Sequence, residues 1–265
     1  MKLKQLEGLL GGLQQFPQPK VELEQYPTGP HIASRMLFTV LPHSLYSPSF
    51  FISRSLQSLL IKFMILVGEN FDWLLGFKTI FGAFACSSVN QAENSFGDVS
   101  NKVVADFGCG CGTLGVAAAL LSAEHVLSID IDPESLEIAS VNAEELELDI
   151  DFIQSNVLDL GWRGSIVDTV IMNPPFGTRK KGADLDFLSV ALKVASQAVY
   201  SLHKTSTRDH VKRTALRDFH ASSAEVICEL RFDVPKMYKF HKKKEVDIAV
   251  DLWRFVPASH QRSTS

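Results

Sequence analysis

Gly108, Gly110 and Gly112 alternate with Cys109 and Cys111 behind Asp106, giving Asp-x-Gly-x-Gly-x-Gly, and a second acid, Asp130, stands 22 residues after Gly108. Glycines at this spacing let a chain turn sharply and come close to a ligand that a side chain would hold off. An acid about 20 residues on sits where an adenosine ribose presents its hydroxyls. The loop lacks the Gly-x-Gly-x-x-Gly spacing of dinucleotide sites and offers no pyrophosphate cradle, so a nucleoside cofactor without phosphates is favoured. Asn173-Pro174-Pro175-Phe176 is the second chemical cluster. It follows the apolar residues Val167, Val170 and Ile171, and its prolines neither donate ladder hydrogen bonds nor continue a helix. The stretch therefore reads as a buried strand ending in a stiff loop, where open α/β sheets place their ligands. Cys109 and Cys111 lack the partner cluster a zinc site needs, so no metal is expected.

These residues require a strand, a glycine loop and a helix in succession, which Lys102–Phe107, Gly108–Gly112 and Thr113–Leu121 supply. His125–Asp130 forms a second strand. Asp132-Pro133-Glu134 opens a helix running to about Leu148, with an N-cap acid, a first-turn proline and an acid facing the dipole. Strands follow near Asp151–Gln154 and Val167–Met172, then a helix over Asp184–Leu202. Alternation of this kind implies a parallel sheet with helices on both faces. Ala224–Phe232 and Val246–Phe255 alternate in polarity and predict an antiparallel pair closing one end. Ahead of the sheet, Leu3, Leu6, Leu9, Leu10 and Leu13 predict a small amphipathic helix weakened at Gly11-Gly12, and Ile32–Thr39 a second helix. On chemistry alone, the turn-rich stretch Gln25–His31 between them reads as a surface connector.

The chain has 265 residues, a net charge of −4 and a pI of about 6.1, so any nucleic-acid binding needs a local basic face rather than bulk charge. Arg179-Lys180-Lys181 and Lys242–Lys244 are such clusters. Four cysteines without paired C-x-x-C spacing fit free thiols in a reducing compartment. The polar start, Met1-Lys2-Leu3-Lys4, lacks the apolar core of a signal peptide.

Asp106–Gly112, Asp130 and Asn173–Phe176 together resemble the class I S-adenosylmethionine-dependent methyltransferases. Leu23–Thr28, Asn101–Asp106, Val170–Thr178, Ala198–Lys204 and Lys239–Lys244 are more closely similar to the methyltransferase-like protein 5 family. The resemblance implies a Rossmann-like α/β fold: a seven-stranded, mostly parallel sheet with an antiparallel C-terminal hairpin. It further implies methylation of the N6 of one adenosine in small-subunit (18S) ribosomal RNA, with a small zinc-binding activator subunit, in nucleus and cytoplasm. Catalytic roles fall to Asn173, Pro174, Pro175 and Phe176. Contacts to S-adenosyl-L-methionine fall to Gln25, Thr28, Gly108, Cys111, Thr113, Asp130, Asn156 and Val157, and RNA contacts to Arg179, Lys180, Lys181, Lys242, Lys243 and Lys244. Two positions depart from the family: Thr113 stands for a small aliphatic residue, and Asn156 for an acid that would accept from the cofactor's adenine amino group. Asn-Pro-Pro-Phe also occurs in protein-glutamine N5 methyltransferases, which are the alternative enzyme class. A catalytically silent RNA- or subunit-binding isoform is the non-enzymatic alternative.

The resemblance skips Val40–Gln91, a stretch crowded with Phe, Leu, Ser and Ile whose acids are Glu69 and Asp72. Its longest apolar run, Leu59–Gly68, is about half of the ~20 residues a membrane helix needs and contains Lys62. A valine codon begins with GT and a glutamine codon can be CAG, so this atypical insert is compatible with an in-frame retained intron. The expected organisation is thus an N-terminal lid over 1–39 that contributes cofactor contacts, a poorly ordered insert over 40–91, a methyltransferase domain over 92–257 and a disordered tail over 258–265.

Overall fold

The computed structural model describes residues 1–38, 96–177, 179–235 and 245–258. The insert Val40–Gln91, Lys242–Lys244 and the tail from residue 259 lie outside these residues. The described residues 1–38 and 98–258 belong to one compact unit.

A seven-stranded sheet runs through this unit in the order β3-β2-β1-β4-β5-β7-β6. Its strands are β1 (Val103–Phe107), β2 (His125–Asp130), β3 (Asp151–Gln154), β4 (Val167–Met172), β5 (Ala195–Lys204), β6 (Ser223–Pro235) and β7 (Glu245–Val256). Strands β1 to β5 pair in parallel, while β7 runs antiparallel to both β5 and β6. The sequence-based fold class is therefore observed. Around the sheet lie α1 (Leu3–Gly11), α2 (Pro30–Phe38), α3 (Thr113–Leu120), α4 (Pro133–Glu145), α5 (Ala183–Val194) and α6 (Arg208–Arg217).

One element departs from expectation: α5 stops at Val194, and Ala195–Lys204 is the strand β5 rather than the second half of a helix. Ala198 through His203 are all buried, so no polar face distinguishes a period of 2 from one of 3.6. β-branched and aromatic residues at Val199 and Tyr200 tip the choice to strand. Helix α6 also escaped the sequence reading. Its apolar stripe is confined to Val211, Thr214 and Ala215 within a charged stretch.

Helix α3 buries Thr113 through Ala118 because α1 and α2 cover the side that turns away from the sheet. In the core between the sheet and α5, Trp253 and Phe255 stack with ring centroids 5.3 Å apart, and Phe107, Val170 and Leu188 belong to the same cluster. Each such buried side chain contributes about 1.5–3 kcal/mol of transfer free energy. Asp98 accepts from Tyr200 Oη at 2.7 Å and from Arg254 Nε at 2.9 Å, pinning the chain at its entry to the sheet.

Candidate functional site

Register decides where the site lies. Phe107 pairs with Ile129 on one side and with Met172 on the other. The residues next in sequence after these three, Gly108, Asp130 and Asn173, therefore emerge together at the carboxyl edge. Strand order reverses between β1 and β4, and that crevice is where a doubly wound sheet binds its ligand.

The glycine loop is held by β2. Gly108 N and Cys109 N both donate to Ile129 O at 2.8 and 3.1 Å, and Gly110 N donates to Asp130 Oδ2 at 2.9 Å. Asp130 Oδ1 accepts from Asp132 N at 2.9 Å, so this carboxylate is oriented through both oxygens. Burial raises its pKa, against these amide donors. Gly110 has φ +53°, and a Cβ there would lie 2.9 Å from Phe16 Cζ. Gly112 has φ +80°, and a Cβ there would lie 2.9 Å from Ala139 Cβ. These glycines thus admit the N-terminal segment and α4 as neighbours, in addition to leaving the ligand side open. Beneath the loop the fully buried Asp106 accepts from Gly115 N at 2.8 Å through Oδ2, while Oδ1 has no partner. Burial, reinforced by Asp130, pushes its pKa up to about 7.

Residues 13–28 wrap back over this loop through a polar lattice rather than as an exposed connector. Asn142, fully buried on α4, accepts from Gln14 N at 2.7 Å and donates to Gln14 O and Cys111 O at 3.0 and 2.9 Å. Asp132 accepts from Lys20 Nζ and Gln25 Nε2, both at 2.7 Å, and from Ser135 Oγ at 2.8 Å. Burial opposes the Asp132 charge, but these donors outweigh it and hold the carboxyl below its ordinary pKa. The acid expected to cap α4 through its side chain therefore spends that side chain on the lid, with Gln25 as one of its lid partners.

Between lid and sheet lies a cavity of about 330 Å³, within the range of small-molecule sites. Its walls include every expected cofactor residue: Gln25, Thr28, Gly108, Cys111, Thr113, Asp130, Asn156 and Val157. Asn173, Pro175, Arg179 and Lys180 line it as well, whereas Pro174, Phe176 and Lys181 do not. Asn156 Oδ1 accepts from Leu158 N at 3.1 Å and its Nδ2 donates to Asp159 Oδ2 at 2.8 Å, so this residue also shapes the turn beneath the cavity rim.

The loop that begins at Asn173 and leads into α5, the expected acceptor loop, is fixed from three directions. Asn173 Nδ2 donates to Thr28 Oγ1 at 3.0 Å, and its Oδ1 is left buried without a partner. Arg179 N donates to Glu24 Oε1 at 2.6 Å. Buried His203 bonds Asp184 through Nδ1 at 2.9 Å and Ser201 through Nε2 at 3.0 Å, anchoring the start of α5. Lys204 Nζ stands 5.8 Å from the centroid of the Phe176 ring, and Lys180 pairs with Asp186 at 2.7 Å on the surface.

Several site residues were not visible to sequence reasoning. Gln15 Oε1 and Glu24 Oε2, like Asn173 Oδ1, are buried acceptors without partners among the described residues, and all three residues line the cavity. Ile131 is 51% exposed and Leu158 38%, yet both sit on the cavity wall as open apolar surface. For Ile131 the signal was its place directly after Asp130; Glu24 and Gln15 gave none.

The methyltransferase small domain family matches residues 77–215. An rRNA N(6)-adenosine-methyltransferase METTL5 from Danio rerio is 43% identical, covering 97% of this chain and 100% of its own. Its Drosophila melanogaster counterpart, Mettl5, is 36% identical over 96% of both chains. Among solved structures, PH1948 from Pyrococcus horikoshii superposes with a TM-score of 0.68 at 27% identity, covering 97% of this chain and 98% of its own. Identity of this extent over nearly the full length of both proteins means that the chain belongs to the METTL5 family of methyltransferases.

Proposed function

We propose that the chain methylates the N6 of an adenosine in small-subunit (18S) ribosomal RNA, using S-adenosyl-L-methionine and acting with a small zinc-binding activator subunit. The ribosomal RNA acceptor is supported by the names its relatives carry. The 18S target and the activator rest on the motifs shared with the family.

The cavity fits such a cofactor. Its unpartnered buried atoms at Gln15, Glu24 and Asn173 are all acceptors, and Glu22, Glu24, Asp130 and Asp186 on its walls outnumber Arg179 and Lys180. A ligand that brings positive charge and hydrogen-bond donors suits these walls better than a phosphorylated one. Asp130 would take the ribose hydroxyls, Ile131 and Leu158 would flank the adenine, and Gly108 would pass beside the sulfur. When bound, the cofactor supplies a methyl on a sulfonium; its C–S bond breaks as the N–C bond forms, leaving a neutral thioether.

The observation that carries the reading is the orphaned Asn173 Oδ1, a buried acceptor whose amide is held by Thr28. With the Pro174 carbonyl it would accept both N6 hydrogens and turn the nitrogen lone pair toward the methyl, while Phe176 stacks on a base splayed from its RNA. Positioning dominates, because the amine surrenders its proton, which passes to solvent, only as positive charge develops. The test is methylation of small-subunit ribosomal RNA by the full chain with activator. Asn173→Ala is expected to lower turnover by about 100-fold or more. Methylation of a release-factor-like protein, with no transfer to RNA, would replace this reading by the glutamine one.

A further inference from the structure

The methyl-transfer chemistry leaves Glu24 unused, yet its setting is unusual. It ends the turn Val21–Leu23 in the left-handed region, at φ 50° and ψ 41°, a conformation that side chains rarely adopt. The residue is 9% exposed, and its two oxygens differ in partnership. Oε1 accepts the Arg179 amide at 2.6 Å, whereas Oε2 is buried with no partner among the described residues, and the residue lines the cavity. A carboxylate oxygen withdrawn from water without a donor is unfavourable unless a ligand supplies one, and a cationic donor compensates best.

Position narrows the ligand group. Thr28 binds Asn173 and Glu24 binds Arg179, so both ends of this stretch lie against the acceptor loop, while Gln25 between them reaches Asp132. The sulfur of the cofactor carries three arms. If the ribose arm runs to Asp130 and the methyl faces Asn173, the amino-acid arm is left to run toward Glu24. We infer that Glu24 Oε2 receives the α-ammonium of that arm, an assignment that rests on S-adenosyl-L-methionine being the cofactor. Because Oε1 of the same carboxylate holds the Arg179 amide, cofactor binding is coupled to the order of the loop that receives the acceptor base.

The experiment is calorimetric binding of S-adenosylhomocysteine, and of its deaminated analogue with hydrogen in place of the amino group, to the full chain and to Glu24→Gln. The unsubstituted chain is expected to prefer the amino compound by about 10-fold or more, as a charge-assisted hydrogen bond provides. In Glu24→Gln that preference should shrink to below about 3-fold, with affinity for the deaminated analogue unchanged, which also shows that the variant is folded. Equal losses for both ligands would overturn the assignment and make Glu24 a merely structural clasp. Amide hydrogen exchange over residues 177–184 reads the coupling: it should slow with the amino compound and not with its analogue, and equal slowing by both would overturn that half. Binding of neither ligand by the unsubstituted chain would overturn the cofactor reading and this inference together.

Discussion

Asn173 Nδ2 donates to Thr28 Oγ1 at 3.0 Å, across 145 positions of sequence. With the nitrogen engaged in this bond, the oxygen is an acceptor left without a partner among the described residues, on a residue that lines the cavity. Without the bond, the amide could turn by half a rotation and present a donor to an amine that is itself a donor. Thr28→Val keeps the shape and removes the acceptor. Turnover is expected to fall on the order of 10-fold while cofactor affinity falls less, because the lost bond orients the acceptor side. Steady-state kinetics with separate variation of cofactor and RNA will resolve the two. A rise in cofactor KM at constant kcat would make Thr28 a cofactor contact alone.

Much of this site was legible in the sequence. The glycine loop, Asp130 and the Asn-Pro-Pro-Phe loop each come after an apolar strand, and a parallel sheet necessarily gathers such strand ends on one edge. Burial and partnership were not legible. Gln25–His31 is polar and turn-rich, so it reads as surface, yet Gln25 and Thr28 are buried because Asp132 and Asn173 supply partners from more than 100 positions away. The strand at Ala195–Lys204 was hidden for the reverse reason: uniform burial erases periodicity. Pairings formed only on folding have no local signature, which is why Glu24 passed unnoticed beside the more suggestive Gln25.

The resemblance of its motifs implies an acid where this chain carries Asn156. A charged acceptor would bind an adenine amino group more strongly than an amide oxygen does. Asn156→Asp alone, however, would replace the 2.8 Å hydrogen bond to Asp159 by a contact between two carboxylates. The informative variant is therefore Asn156→Asp combined with Asp159→Asn, which restores a donor. Its affinity for S-adenosylhomocysteine should exceed that of the unsubstituted chain by about 5- to 10-fold in calorimetry. Undiminished affinity in the unsubstituted chain relative to the double variant would show that the amide oxygen suffices.

Asp106 should impose a pH dependence on stability. Burial raises its pKa from the ordinary 3.8 to about 7, so between these values the folded chain holds a proton that the unfolded chain has released. Stability contributed by this group accordingly declines as pH rises from about 4 to about 7 and levels off above. Asp106→Asn resembles the protonated acid and still accepts from Gly115 N. Thermal melts of the two proteins should nearly coincide at pH 4 and separate toward pH 8, with the variant more stable by an amount on the order of a few kcal/mol. A difference independent of pH would mean that Asp106 is ionised throughout.

Lys204 and Phe176 adjoin beside the acceptor loop. The Lys204 ammonium lies 5.8 Å from the Phe176 ring centroid, near enough for cation–π attraction, and β5 carries it beside the acceptor loop. A lysine so placed would hold the aromatic shelf in orientation and also offer charge to a phosphate flanking the splayed base. Lys180 is less free to do this because Asp186 already pairs with it, although a surface pair of this exposure is worth at most about 1 kcal/mol and yields to a phosphate. Two variants separate the roles. Lys204→Met keeps the stem and removes the charge; RNA affinity should drop most at low salt, and the slope of log affinity against log salt should flatten by about 1. Phe176→Leu should lower turnover while leaving that slope unchanged, since stacking carries no counterion. If Lys204→Met reduced turnover with the slope intact, the lysine would act through Phe176 alone, and the phosphate contacts would have to come from Arg179 and the other lysines along the chain.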